Sequence, residues 1–303
     1  MDLIMFLRAS VKIKEVLKMK KLLVGLMMVS IMTSAAMAKT LQIKGSDTEL
    51  NAVQAIAEAY MNKNSDASIA VTGGGSGAGF AALINGKADI AIASRSMSNS
   101  EATQCRARGI SPNYIVFGID GLSVIVNKAN PVKDLSVDQI ARIYKGEITN
   151  WKDVGGADMT ISLYGRQSSS GTFVYFRQNV MKGEYSTKMN RMAGNAEIVD
   201  AVKADRAGIG YVGVGYTQQN GKMVDGIAVL TVNGVSPLDE TNVVTGKYAI
   251  SRPLYHYFNG KPSGVAKSFM EFELSDEGQN ILKEQGFYKV TSDYAGVNQS
   301  NLE

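Results

Sequence analysis

The chain is predicted to be an α/β protein. Short apolar strands alternate with stretches of helical period, three strand-to-helix passages run through loops rich in Gly, Ser and Thr, and no repeat or low-complexity segment breaks the order. Its 303 residues, 45% apolar and 20% charged, suffice for one large domain or two smaller ones.

The elements follow in order. "LQIK" (41–44) reads as a strand entering "GSDT". From Thr48 to Lys63 the apolar positions Leu50, Val53, Ile56, Ala57, Tyr60 and Met61 keep the helical period, with Ser46 and Glu49 at capping-box spacing. "SIAVTG" (68–73) is a strand, "GGGSGAG" a loop, "FAALIN" (80–85) a helix stopped by Gly86, and "ADIAIAS" (88–94) an apolar strand. "GLSVIVN" (121–127) is a further strand before the break at Asn130-Pro131. "SVDQIARIY" (136–144) is helical, "TISLYG" (160–165) a strand, and "GTFVYFRQNVMK" (171–182) and "AEIVDAVKA" (196–204) are helices. "GIGYVGVGY" (208–216) reads as a buried strand, and 264–287 as two helices divided near Ser275. Such alternation implies largely parallel pairing.

The N-terminus stands apart. "KMKK" (18–21), an eleven-residue apolar stretch (22–32) and "TSAAMA" ending at Ala38 have the form of a secretory signal peptide cleaved after Ala38. The stretch is too short to span a bilayer. Residues 1–18 then read as an N-terminal extension, with Met19 the better start. Residues 1–38 hold six Lys/Arg and two Asp/Glu and so account for the whole formal charge of +4. The remaining chain, 39–303, is neutral and has no basic run interleaved with aromatics, which argues against nucleic acid. Cys105 is the only cysteine, so no intrachain disulfide can form. The expected product is a soluble periplasmic protein.

Three loops share one chemistry: "KGSDTE" (44–49), "TGGGSGAG" (72–79) and "GRQSSSGT" (165–172). Each leads from a strand into a helix start, where free N–H groups and the positive end of the helix dipole favour an oxyanion. Glycines permit close approach, hydroxyls of Ser46, Thr48, Ser76, Ser168, Ser170 and Thr172 add donors, and Arg166 adds a planar fork. Ser46 could equally cap its helix, and the Gly73–Gly79 and Ser168–Ser170 loops could be a flexible turn and a solvated cap. Recurrence favours convergence, since parallel α/β sheets gather such loops on one edge.

Other chemistries fit poorly. "GGGSGAG" lacks the lysine of a Walker A loop, and Gly77, Gly79 and Ala82 meet a dinucleotide fingerprint only loosely. One His and one Cys make a metal site improbable, and no cofactor is implied. A serine hydrolase would need a base beside Ser168–Ser170, and no G-x-S-x-G elbow is present. His256, among aromatics in "PLYHYF", reads as a packed side chain.

The segments "KGSDT", "VTGGGSGAGFAALINGKADIAIASR", "VNKANPV", "IYKGEITNW", "SSSGTFVYF", "GIGYVGVGY" and "LSDEGQNILKEQGF" occur in this order and resemble, over 40–290, the periplasmic phosphate-binding proteins of Pst-type ABC transporters. The resemblance implies a two-lobed type II periplasmic-binding fold. Each lobe would be a mostly parallel sheet flanked by helices, with a two-segment hinge near Val126–Pro131 and Ala249–Tyr255. Lobe one would comprise 40–126 and 253–303, lobe two 127–252. It further implies a non-enzymatic, monomeric receptor that captures inorganic phosphate and delivers it to membrane permease subunits. Thr48, Ser76, Arg166, Ser170, Gly171 and Thr172 match the family's phosphate contacts, with Ser46, Asp47, Gly75, Ser94 and Ser168 beside them. Some members carry Asp where Arg95 stands, and that carboxylate accepts the phosphate's proton, thereby excluding sulfate. Arg95 can strengthen anion binding but accepts no hydrogen bond, so a site that rejects sulfate needs a substitute acceptor; Asp47 is the nearest candidate by sequence, its other reading being a cap or dipole partner of the helix that follows. The alternatives are a receptor for sulfate, molybdate or tungstate, or a secreted phosphatase or esterase.

Overall fold

The computed structural model describes residues 39–219 and 221–303; the expected signal peptide lies outside them. In chain order the principal elements are β1 (Leu41–Gly45), α1 (Leu50–Lys63), β2 (Ile69–Thr72), α2 (Ser76–Ile84), β3 (Ile90–Ala93), α3 (Asn99–Ala107), β4 (Pro112–Gly121) and β5 (Ser123–Asn127). Next come α4 (Val137–Lys145), β6 (Ser162–Arg166), α5 (Gly171–Tyr175), β7 (Asn190–Met192), α6 (Asn195–Ala204), β8 (Gly208–Val212), β9 (Ile227–Val229) and α7 (Glu240–Val244). β10 (Ser251–Asn259), α8 (Gly264–Leu274), α9 (Asp276–Glu284), β11 (Tyr288–Lys289) and α10 (Ala295–Leu302) complete the chain.

Two sheets organise the molecule. The first has the order β11-β4-β10-β3-β1-β2, the second β9-β5-β8-β6-β7. Around β1 and β6 the pairing is parallel, as the strand–helix alternation requires. The rest is antiparallel, because β4 and β10 are long neighbours of opposite direction and β5 lies between β9 and β8. The sheets are therefore mixed rather than mostly parallel.

The chain changes sheets at Leu122 and returns at Ser251. The two passes lie side by side, with the Leu122 N–H donating to the Ile250 carbonyl (3.1 Å) and the Tyr248 hydroxyl to the Leu122 carbonyl (2.8 Å). The first crossing thus precedes the one expected at Val126–Pro131. All five residues of β5 are buried, and the strand lies inside the second sheet, paired with β9 on one side and β8 on the other.

Local sequence explains most helix limits. Ser98 with Glu101 and Ser136 with Gln139 form capping boxes, and Gly146 ends α4 in the left-handed region. The box expected from Ser46 and Glu49 is absent: α1 begins at Leu50, Glu49 occupies its N-cap position, and no side chain caps it. α2 starts at Ser76, inside the glycine loop and earlier than the apolar pattern suggested. The stretch 171–182 divides into α5 and a π-helical turn, Phe176–Met181. "GIGYVGVGY" is strand only to Val212 and then a short 3-10 turn, Val214–Thr217. α1 buries Ala52, Val53, Ile56, Ala57 and Tyr60 against the first sheet, as its period predicted.

Candidate oxyanion site

Three loop-to-helix junctions meet between the two sheets. The β1–α1 and β2–α2 loops come from the first, and the β6–α5 loop from the second. Thr48, Ser76, Ser94, Ser170 and Thr172 are each at most 2% exposed, a burial that hydroxyls tolerate only when they are hydrogen-bonded. Thr48 Oγ1 and Thr172 Oγ1 lie 2.6 Å apart, and Ser94 Oγ lies 3.3 Å from Thr172 Oγ1. The Ser94 N–H donates to Ser76 Oγ at 3.1 Å. Ser170 caps α5 by accepting from the Phe173 N–H, which leaves the N–H groups of Gly171 and Thr172 without intrahelical partners. α2 presents its own first turn from Ser76, so two helix N-termini face one cluster.

Glycine is needed at two positions here. Gly75 has φ +94°, and a Cβ there would stand 2.5 Å from the Ser169 carbonyl oxygen. A Cβ on Gly171 would stand 2.2 Å from Ser76 Oγ and 2.8 Å from Ser94 Oγ. The approach of the two loops is held by the Gly77 N–H donating to the Ser169 carbonyl (3.0 Å) and the Ser169 hydroxyl to the Gly74 carbonyl (3.1 Å).

Arg166 is fully buried at the end of β6. Its Nη2 donates to the Ala193 carbonyl at 2.8 Å, its Nη1 is 3.3 Å from Asp47 Oδ2, and Nε and Nη1 make no hydrogen bond among the described residues. Burial pulls its pKa below the usual guanidinium value, against the opposing influence of Asp47. Asp47 Oδ2 also accepts from the Asn195 backbone N–H (2.9 Å) and from Asn195 Nδ2 (3.0 Å), and the Asp47 carbonyl accepts from the Tyr216 hydroxyl (2.7 Å). Asp47 thus ties the first sheet's loop to the start of α6 instead of capping α1.

Three expected residues do not join the cluster. Arg95 turns toward α3, where Nη1 and Nη2 form a fork on Glu101 at 2.8 and 2.7 Å and the guanidinium covers the Phe80 ring at 4.9 Å. Partial burial would raise the Glu101 pKa, but hydrogen bonds from Arg95 and Ser98 outweigh it and lower it. The carboxylate three residues into α3 outcompetes the cleft for this arginine. Ser168 lies exposed on the turn before Ser170. Ser46 is buried behind the cluster, its N–H on the Ile92 carbonyl.

Arg252 joins the cluster although no sequence motif pointed to it. Only 3% exposed on β10, it donates from Nε and Nη2 to Asp120 Oδ2 (2.9 and 2.8 Å), from Nη1 to the Ser94 carbonyl (2.9 Å), and from Nη2 to Thr172 Oγ1 (3.0 Å). Asp120 sits opposite it on β4 and also accepts from the Val214 N–H. The available signal was one Asp and one Arg in two otherwise largely apolar stretches, "VFGIDG" and "ISRPLYHYF", which sequence pattern alone does not mark as strands. The opposite face of Arg252 lines a cavity of about 400 Å³ with Arg95, Tyr175, Gln178 and Tyr255.

The cluster is built to donate hydrogen bonds. The imidazole of His256 lies fully buried in the first sheet's core, stacked on Phe117 and bonded to Glu273, so it cannot serve the serines as a base. Among the described residues no group of three His, Cys, Asp or Glu side chains is arranged to hold a metal ion.

The sequence matches the PBP superfamily domain over residues 31–277. It is 33% identical over 258 residues to the phosphate-binding protein PstS of Bacillus subtilis, covering 83% of this chain and 81% of that protein. The chain belongs to the Pst-type phosphate-binding protein family. Within that family, a putative phosphate ABC transporter substrate-binding protein of Clostridium perfringens, solved with bound phosphate, superimposes with a TM-score of 0.76 at 32% identity, covering 84% of this chain and all of that one. An ABC-type phosphate transport receptor from Vibrio cholerae gives 0.68 at 28% identity, covering 82% of this chain and all of that one. The fold is accordingly the type II periplasmic-binding fold.

Proposed function

We propose that this chain is the substrate-binding receptor of a phosphate ABC importer. It captures inorganic phosphate in the cluster between the two sheets and delivers it to the membrane permease, without chemistry on the ligand. The carrying observation is the convergence of two helix N-termini, five buried hydroxyls and the buried Arg252 on one small volume, with the buried Arg166 held beside Asp47 in the loop that carries Thr48. The donors suit a tetrahedral oxyanion, and Arg166, with Nε and Nη1 making no hydrogen bond among the described residues, supplies charge.

The two lobes are taken as 40–121 with 251–303, and 123–250, moving about the paired passes at Leu122 and Ile250. Thr48, Ser76 and Ser94 hold the anion from lobe one; Arg166, Ser170, Gly171 and Thr172 close on it from lobe two, and Arg252 braces both. Contacts that exist only in the closed arrangement, such as Gly77 to Ser169 and Asp47 to Asn195, bias the equilibrium toward it. Asp47 accepts from Asn195 and faces Arg166 through Oδ2, so Oδ1 is the acceptor offered to a proton on the anion, which would favour phosphate over sulfate. The protein acts as a periplasmic monomer after cleavage following Ala38.

Calorimetry on residues 39–303, stripped of anion, tests this. Phosphate binding that excess sulfate leaves intact is expected. Binding lost to sulfate would move the ligand to another oxyanion, and an intact-mass measurement of the exported protein would show whether it begins at Lys39.

A further inference from the structure

Behind the site, inside the first sheet's core, three titratable side chains meet without solvent. Glu49 follows Thr48 directly at the N-cap position of α1, His256 comes from β10 and Glu273 from α8, and all three are fully buried. His256 Nδ1 lies 3.0 Å from Glu273 Oε2, while His256 Nε2 is 3.8 Å from Glu49 Oε2. Both oxygens of Glu49, Oε1 of Glu273 and Nε2 of His256 make no hydrogen bond among the described residues. An ionised carboxylate is rarely left so, because an uncompensated buried charge is far costlier than a protonated acid.

Charge counting gives the same answer. One imidazolium can balance one carboxylate, and the 3.0 Å contact assigns it to Glu273. The remaining cation nearby, Arg252, has both Nε and Nη2 on Asp120. Other groups facing Glu49 are the Ser46 hydroxyl and the Tyr216 ring, both neutral. The charged pairs on the flanking helices, Lys63 with Glu277 and Lys267 with Glu271, stand at the surface. Among the described residues no further cation faces Glu49 to neutralise it.

We propose that Glu49 carries a proton at neutral pH and acts as a positioning residue for phosphate, keeping a negative charge out of the wall behind Thr48 and Arg252. Burial pushes its carboxyl up to about 8, against the lowering influence of His256, Ser46 and Arg252. Burial would lower His256, but Glu273 and Glu49 override it and raise the imidazole, as an imidazolium paired to Glu273 requires. The inference rests on the phosphate reading of the site. A dianion binding one residue away holds the proton more tightly, so above about pH 8 binding must draw that proton from solvent.

Two measurements test it. Carbon-13 NMR of glutamate-labelled protein without phosphate should show one side-chain carboxyl titrating near pH 8, absent from E49Q. Phosphate titrations by calorimetry from pH 6 to 9.5, in buffers of differing ionisation enthalpy, should show extra proton uptake in the wild type. Its affinity should fall relative to E49Q by up to ~10-fold per pH unit above 8. A Glu49 carboxyl already ionised at pH 7 overturns the proposal, as does a wild-type pH profile parallel to that of E49Q. If E49Q does not fold, the wild-type titration alone decides the proton. Titration near pH 8 in a chain that binds no phosphate would support the proton and overturn the site reading.

Discussion

Gly171 is where the closed site has no room to spare. An alanine Cβ there would meet Ser76 Oγ at 2.2 Å, Ser94 Oγ at 2.8 Å and Ser76 Cβ at 2.9 Å, where ordinary contact begins near 3.4 Å. Rotating Ser76 turns its Oγ aside but leaves Ser94 Oγ and Ser76 Cβ too close, so α5 must retreat from α2 by about 0.6 Å. That retreat strains the contacts between the two loops, the 2.6 Å contact of Thr48 with Thr172 among them. Overpacking of this kind costs about 1–3 kcal/mol, and here it falls on the closed arrangement, because the clashing atoms belong to loops of different sheets. Gly171→Ala should therefore weaken phosphate binding about 5- to 150-fold by calorimetry, while the melting temperature without phosphate moves by about 2–4 °C at most. Gly296→Ala, in open space on α10, is the control and should change neither. An affinity for Gly171→Ala within twofold of the wild type would refute the reasoning, because the two helix starts would then not close on one another around the ligand.

Other substitutions separate the remaining roles. Arg166→Ala should cost about 2–5 kcal/mol of phosphate affinity, since it removes a buried charged donor and strands part of Asp47; calorimetry showing no change would take Arg166 out of the site. Arg95→Ala should leave affinity within about threefold, because its fork is spent on Glu101, and a large loss would mean that it leaves Glu101 when phosphate binds. In urea unfolding, the wild type should lose stability relative to E49Q as pH rises from about 4.5 to 8, by up to about 1.4 kcal/mol per pH unit, and then run level. The sign follows from the proton: the folded chain keeps it on Glu49 while the unfolded chain releases it near 4.5, so rising pH favours unfolding. A difference that grows above pH 8 would contradict the assignment.

Local pattern carried much of this protein. The helical period of Val53, Ile56, Ala57 and Tyr60, the apolar strand at 90–93 and the hydroxyl-rich loops before Ser76 and Gly171 could all be read from nearest neighbours along the chain. The family resemblance added the pairing of those loops. Side-chain partners were not legible, because each was chosen across the fold. Ser46 and Glu49 have capping-box spacing, yet Glu49 is drawn into a buried cluster with residues 207 and 224 positions further on. Arg95 ends a strand where ligand loops begin, but a carboxylate six residues away captures it.

Period, glycine and hydroxyl content act over a few residues, and they were enough to define an α/β chain with three donor-rich helix starts. Which of those starts converge, where the chain changes sheets at Leu122, and how Arg252 and Asp120 form the brace were settled by tertiary packing. Those outcomes depend on strand order and on which buried charges can neutralise each other, and no local window contains that information.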